Sequence, residues 1–436
     1  MMSHYVLDIY NPEPTERFKY VAGVILNDIL GISYRVVSDK HLSGGKVDID
    51  YSHEDGGDGL KIIPSGLLNK RGVEQVIPDV SWAGKLPLLF PSNQNGEFPF
   101  DIFSASFYML SRYEEYQDFH PDVHGRFSGS SSFACTNGFL KIPVVDMWAR
   151  MLGRELSARN PQIIVKESSF NALMTFDIDQ AYAFIGHGFL RNTAGFFKDF
   201  FSKCSNPLFR LKTLLGRGED PYNLFGYMTS QVKKHDAKAM FFFPVGQRND
   251  HDKNPSWLDR NYQTLIKRIS SEYETGIHSS YFSSGRPEVL SEEIEHFNEI
   301  AGFNVSKCRQ HWLLLRVPST YRSFIGAGIK VDYTMGFADE TGFRAGIARP
   351  FPFYDLLKEE ITDLTVVPFQ VMDGTLMQYK SLRPDEAIAD IRSLIEVTRE
   401  AGGLFVSLWH NTSLTESCGW EGWRRVFEET LRIQKL

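Results

Sequence analysis

The stretch Leu173-Met174-Thr175-Phe176-Asp177-Ile178-Asp179-Gln180 decides how the rest of this chain is read. An apolar run of strand character ends abruptly in two carboxylates one residue apart. Positions i and i+2 of a strand point to the same face. Asp177 and Asp179 can therefore converge at the strand's C-terminal edge, where open α/β sheets and barrels place their ligands. Carboxylates that close share a proton, hold a cation, or divide the roles of base and ligand. The plain structural alternative is one Asp capping the next helix and the other solvated.

Downstream of this stretch, strand and helix patterns alternate. Residues 238–245 (KAMFFFPV), 274–278, 330–333, 364–371 and 404–409 have strand character. Residues 222–235, 258–271, 290–301, 320–326 and 420–433 have helical spacing. Residues 384–402 begin with Pro384 and end at Gly402-Gly403, the order expected of helix start and stop. Such alternation predicts a parallel sheet, open or closed. The roughly 265 residues from 171 onward are of barrel size.

Upstream the pattern is mixed. A helix is expected over 18–30, ending at Gly31, with short strands at 34–37, 47–51 and 60–64. An aromatic helix is expected over 102–116 and another helix through Trp148. The boundary falls near residue 165, dividing a smaller mixed α/β domain (1–165) from the larger one (166–436). Arg112, Glu114, Glu115 and Arg126 fit an internal ion-pair network better than a surface facing the site.

At 436 residues the chain suits two domains, and its composition is that of a folded protein: 42% hydrophobic and 23% charged. A net charge of -7 argues against a nucleic-acid surface. Cys135, Cys204, Cys308 and Cys418 are scattered, with no C-x-x-C pair, and read as reduced thiols. Residues 1–20 carry Asp8, Glu13 and Glu16 where a signal peptide needs an apolar core, and no stretch approaches the ~20 apolar residues of a membrane span. A cytoplasmic location is the expectation.

Polar groups recur where the predicted strands end. His278-Ser279-Ser280-Tyr281 follows one strand and Trp409-His410-Asn411 another. Arg309 and His311 follow Val305, Arg344 sits in a glycine-rich turn, and Asp373 follows Val371. Singly, each has a bland explanation: a hydrogen-bonded core histidine, a buried ion-pair partner, or a turn. Together, several strand ends bearing Asp, His and Arg are how a barrel assembles an active site.

In their order and spacing these residues resemble the polysaccharide deacetylases (NodB homology, carbohydrate esterase family four). The matching pieces are Thr175-Phe176-Asp177 with a second acid, Ile277-His278-Ser279, an Arg-bearing loop, and a final Leu408-Trp409-His410. Nearly the whole chain is similar to two-domain deacetylase-like proteins of Bacteroidetes-type bacteria, which share the segment from Phe100 to Tyr116. The resemblance implies an α/β fold, a distorted (β/α) barrel of about seven parallel strands. It implies hydrolysis of an N- or O-acetyl group on a sugar or glycan precursor of a surface polysaccharide, with a divalent metal such as zinc and no organic cofactor. Asp177 would be the base, Asp179 and His278 metal ligands, Arg309 the group orienting the base, and His410 the acid. Trp409 would wall the sugar or the acetyl methyl. Tyr281, Arg344, His311 and Asp373 are further substrate-binding candidates.

One departure stands out. The family places a second histidine four residues after the first, and here that position is Phe282. Two protein ligands are fewer than a catalytic zinc site needs. His311 and Tyr281 are the nearest residues to complete it; otherwise the ion is weakly held, or the domain works without metal. Two other readings compete: a catalytically silent glycan-binding relative, and a glycoside hydrolase pairing Asp373 with Asp177 or Asp179.

Overall fold

The computed structural model describes residues 5–43, 46–55, 58–92, 96–186, 193 and 207–435. Cys204 and residues 1–4 lie outside the described residues. Cys135 and Cys308 are thiols. No described helix is long and apolar enough to cross a membrane.

Near the N-terminus, β1 (Leu7–Tyr10), β2 (Tyr34–Val37), β3 (Ile49–Tyr51) and β4 (Leu60–Ile62) form a parallel sheet in the order β2-β1-β3-β4. The helix expected over 18–30 is Glu16–Ala22, capped by the Thr15 side chain and continued as a wider π-turn over Gly23–Ile29. An antiparallel hairpin follows, β5 (Val80–Ala83) with β6 (Leu86–Leu89). The aromatic helix is Ile102–Leu110, shorter than its apolar pattern suggests. Arg112 adopts a left-handed backbone, φ 55°, which ends the helix before residues 113–116.

The larger sheet contains β7 (Asn171–Asp177), β8 (Ala239–Phe243), β9 (Glu274–Ser279), β10 (Lys307–Gln310), β11 (Val331–Asp332), β12 (Phe351–Asp355), β13 (Glu360–Val366), β14 (Val371–Met372) and β15 (Leu404–His410). Its order is β12-β13-β11-β10-β9-β8-β7-β15-β14, all parallel except the edge strand β12. The expected barrel of about seven strands does not close among the described residues. The ladder stops at β14 on one side and at β12 on the other. Residues 367–370 span the opening instead. Val367 and Phe369 donate to the carbonyls of Asp332 and Met335 (2.8 and 2.9 Å), and Gln370 donates to that of Val406 (3.0 Å). The four residues are consumed in crossing, which leaves β13 and β14 no length in which to pair.

Side-chain alternation sorts this curled sheet into two faces. Met240, Phe242, Tyr333, Phe369, Val406 and Leu408 fill its inside. Met174, Phe176, Phe241, Phe243, Phe405 and Trp409 point outward into the large core that also takes in the N-terminal sheet and helices. Inward parity carries on to the strand tops, where His410 lies beside Asp177 and Arg309 beside His278 in register.

Buried ion pairs join the first part of the chain to the second. The Glu115 carboxylate accepts from Arg112 at 2.7 Å and from Arg344 at 2.9 and 2.7 Å. The Arg112 guanidinium also donates to the Arg344 carbonyl. Arg17 reaches Glu359 at 2.8 Å, and Arg349 reaches Asp146 at 2.6 Å. Arg344, expected to touch substrate, is used in this junction instead: a guanidinium that saturates a buried carboxylate bidentately is not available to a ligand.

Candidate functional site

The site begins with an ion pair at the top of β7. Arg309, fully buried on β10, donates to Asp177 Oδ1 at 2.8 Å and to the Thr175 hydroxyl at 2.8 Å. Its Nε donates to the Tyr333 carbonyl at 2.9 Å, while the guanidinium lies over the Phe242 and Phe369 rings. Nε and Nη1 are engaged, and through Nη1 so is the carboxylate, while the buried Nη2 finds no acceptor among the described residues.

Two residues on, Asp179 faces three imidazoles. Its Oδ1 is 3.1 Å from His278 Nε2, and its Oδ2 is 3.5 Å from His311 Nε2 and 3.6 Å from His410 Nε2. One ligand atom from each of Asp179, His278 and His311 lies within 4.8 Å of the others. Each histidine is oriented from behind. His278 Nδ1 is 2.9 Å from the Arg309 carbonyl, His311 Nδ1 is 2.6 Å from Asp252, and His410 Nδ1 is 2.7 Å from Asp373. Hydrogen-bonded Nδ1 atoms of this kind are characteristic of metal-ligating histidines.

The donor set fits a divalent cation. A carbonyl can only accept, so Nδ1 of His278 carries the hydrogen, and in the neutral ring the Nε2 lone pair faces Asp179 Oδ1. That oxygen is buried and finds no hydrogen-bond donor among the described residues. Two lone pairs at 3.1 Å call for positive charge between them. Two histidines and a carboxylate are also a usual protein ligand set for catalytic zinc.

The same field acts on protons. Burial opposes charge on His410, yet the Asp373 and Asp179 carboxylates raise its pKa to about 10. Burial likewise opposes charge on His311, and Asp179 and Asp252 raise it to about 10. Burial pushes Asp179 toward neutrality, but the His311 and His410 imidazoles hold it well below the usual carboxylate range.

The structure brings Asp177, Asp179, His278, Arg309, His311 and His410 together and places the other candidates elsewhere. Trp409 is buried on the outward face of β15, its ring 5.2 Å from Phe427 and its Nε1 donating to Ser407. With His410 facing in, its neighbour must face out, so Trp409 does not wall the cavity. Asp373 spends both oxygens on His410, at Nδ1 and at the backbone N–H, each 2.7 Å. It supports the histidine and leaves no free carboxylate for a glycosidase pair. Tyr281 stands behind His251, ring on ring at 3.9 Å. Phe282 is 41% exposed. Asp252 went unread in the sequence, and Arg126 was read there as part of an internal ion-pair network. Asp252 lies in the polar run 248–254 that follows β8, a strand-end signal like the others. Arg126 borders the cavity from the first part of the chain.

A family of unknown function (DUF7033) matches residues 7–161. No curated protein sequence matches the chain. Among solved structures it is similar to a protein taken to be a polysaccharide deacetylase from Mycobacterium smegmatis, with 16% identity over 61% of this chain and 84% of that one, TM-score 0.40. A polysaccharide deacetylase of Bacillus cereus gives 14% identity over 61% and 88%, TM-score 0.29. A 4-α-glucanotransferase from Thermococcus litoralis gives 11% over 62% and 37%, TM-score 0.34. Likenesses this distant say nothing of activity.

Proposed function

We propose that this chain is a metal-dependent carbohydrate deacetylase that removes an acetyl group from a sugar in surface-polysaccharide biosynthesis. One observation carries the reading: an arginine-held carboxylate, Asp177, stands beside the Asp179, His278 and His311 cluster, with His410 Nε2 3.6 Å from Asp179 Oδ2. Asp179, His278 and His311 would hold the ion. The chemistry such an ion supplies is polarisation of the acetyl carbonyl and acidification of a water. Asp177, oriented by Arg309, takes the proton of the attacking water. His410, held at Nδ1 by Asp373, gives a proton to the amine or hydroxyl that leaves as acetate is released. The engagement of Asp373 by His410 weighs against the glycoside hydrolase reading. His311 supplies the imidazole that Phe282 lacks, which weighs against a silent glycan-binding relative.

The test is acetate release from N- and O-acetylated oligosaccharides by protein stripped with chelator and then reloaded with zinc, cobalt or nickel. Activity restored by metal and lost in Asp177→Asn supports the reading. Equal activity with and without metal would overturn it.

A further inference from the structure

Between β7 and β8 the chain carries a short helix, Pro207–Leu214, that turns most of its apolar side chains away from the protein. Of its eight residues only Pro207 and Thr213 are buried. Leu208 is 66% exposed, Phe209, Leu211 and Leu214 are 43–44% exposed, and Leu215, just past the helix, is 60% exposed. The Leu215 N–H donates to the Leu211 carbonyl at 3.0 Å, which carries the helical path one residue further. Leu208, Leu211 and Leu215 thus recur at i, i+3 and i+7 and form one stripe, with Phe209 and Leu214 to either side of it. Single exposed leucines are ordinary on a protein surface, whereas five large apolar side chains within eight residues mark an interaction site.

The charge of this stretch is opposite to that of the chain. Residues 207–217 hold Arg210, Lys212 and Arg217 and no acid, in a protein of net charge -7. Lys212 and Arg217 are exposed, and the Arg210 guanidinium lies over the Phe184 ring, 4.3 Å from its centre. Of the two acids that follow, Glu219 is exposed and Asp220 is turned inward. The Asp220 carboxylate accepts the backbone N–H groups of Ala183, Phe184 and Ile185 at 2.7, 2.9 and 3.2 Å and that of Tyr222 at 3.0 Å. The Asn411 side chain donates to the Gln180 and Tyr222 carbonyls, both at 2.9 Å. These bonds tie the segment after the helix to the loop that leaves Asp179, so the helix is fixed to the end of the sheet that carries the candidate site.

We propose that this helix is a docking element for an anionic lipid surface. Its leucine and phenylalanine side chains enter the boundary between headgroups and acyl chains, while the lysine and arginine side chains stay at the level of the lipid phosphates. At ~1.5 Å per residue the helix is about 12 Å long, far short of the ~30 Å hydrocarbon core, so it lies on the membrane and does not span it. Apolar side chains on more than one side of the helix suit immersion in lipid. A groove on a partner protein would cover one stripe and leave the rest in water. The local positive charge is what brings an otherwise acidic protein to a negatively charged surface. Docking sets the end of the sheet that carries Asp179, His278 and His311 near the lipid, whatever reaction those residues perform.

The experiment is flotation of the full-length protein with vesicles of phosphatidylcholine, alone or mixed with phosphatidylglycerol. Wild type is expected to bind the mixed vesicles about tenfold or more tightly than the neutral ones, a preference that shrinks at about 0.5 M salt as screening sets in. The variant Leu208→Ser/Leu211→Ser/Leu215→Ser should bind the mixed vesicles about tenfold or more weakly than wild type. Lys212→Glu/Arg217→Glu should lose the preference for them. Both variants alter exposed side chains only, so their Tm should match that of wild type. No binding by wild type, equal binding to both compositions, or undiminished binding by the leucine variant would overturn the proposal. A lowered Tm in the leucine variant would show that the face is packed within the chain, and would overturn it too. So would a wild-type dimer in light scattering that the leucine variant converts to monomer, since the face would then belong to a second copy. Acetate release is read nowhere in this test, so its outcome is independent of the deacetylase reading.

Discussion

The Asp252 carboxylate meets Nδ1 of His311 at 2.6 Å from a loop 59 residues upstream, and the same carboxylate accepts the Tyr281 N–H at 3.0 Å. It thereby orients the histidine that, in the proposed reading, takes the place of the one missing at Phe282. Burial works against its charge, but His311 and Asn249 hold its pKa below the usual value. Asp252→Asn keeps an acceptor and loses the charge. Zinc affinity, read by competition with a chromophoric chelator, should fall about 10–100-fold. Unchanged affinity would remove His311 from the ligand set.

Asp177 and Asp179 should separate cleanly by substitution. Asp177→Asn is expected to lower kcat by about 10²–10⁴-fold, the range of a general base, while zinc content stays at the wild-type level. Asp179→Asn should lose the metal. Zinc loss in Asp177→Asn would make Asp177 a ligand and reverse the assignment.

Arg309 tests the energetics of the pair. It is fully buried and bonded to Asp177 at 2.8 Å. Arg309→Met leaves a buried carboxylate without its partner and should cost about 3–5 kcal/mol in urea unfolding. Removing that charge as well, in Arg309→Met/Asp177→Asn, should cost less than the sum of the single changes. Simple additivity would show that the pair is not coupled.

Glu293 gives a pH prediction outside the ligand cluster. Burial is the main cause raising its pKa from 4.5 to about 7, only partly offset by hydrogen bonds from Ser280. Its carboxylate accepts the Ser280 N–H at 3.0 Å, and its other oxygen has no partner among the described residues. A carboxyl raised in the folded state contributes stability that is complete below its unfolded value. That stability is lost as pH rises through 7. Glu293→Gln should therefore match wild type near pH 5 and exceed it by about 1–2 kcal/mol near pH 8, measured in excess chelator so that metal loss adds nothing. Equal stability at both values would mean that Glu293 is ionised at no cost.

Much of the site was legible because strand periodicity is local. Asp177 and His410 end their strands and His278 and Arg309 stand one residue before the end of theirs, all with the parity that faces inward, and the parallel register sets them side by side in pairs. The same rule, applied to adjacent residues, shows why Trp409 left the site when His410 entered it. Asp252 and Arg126 were less legible because loops carry no periodicity, and what they touch depends on where distant strands and turns are packed. Arg344 was misassigned for a related reason: an arginine in a glycine-rich turn looks the same whether it meets a ligand or, as here, a glutamate 229 residues away.

The amino-acid sequence alone therefore determines the alternation of strands and helices, the inward parity of the strand-end acids and bases, and the absence of a second histidine at Phe282. These follow from backbone dihedrals and side-chain alternation over a few residues. Tertiary structure decided that the ladder stays open where residues 367–370 cross it, that His311 joins Asp179 and His278, and that the 122–126 turn borders the cavity. Those outcomes depend on contacts between segments tens to hundreds of residues apart, which only the packing of one core selects.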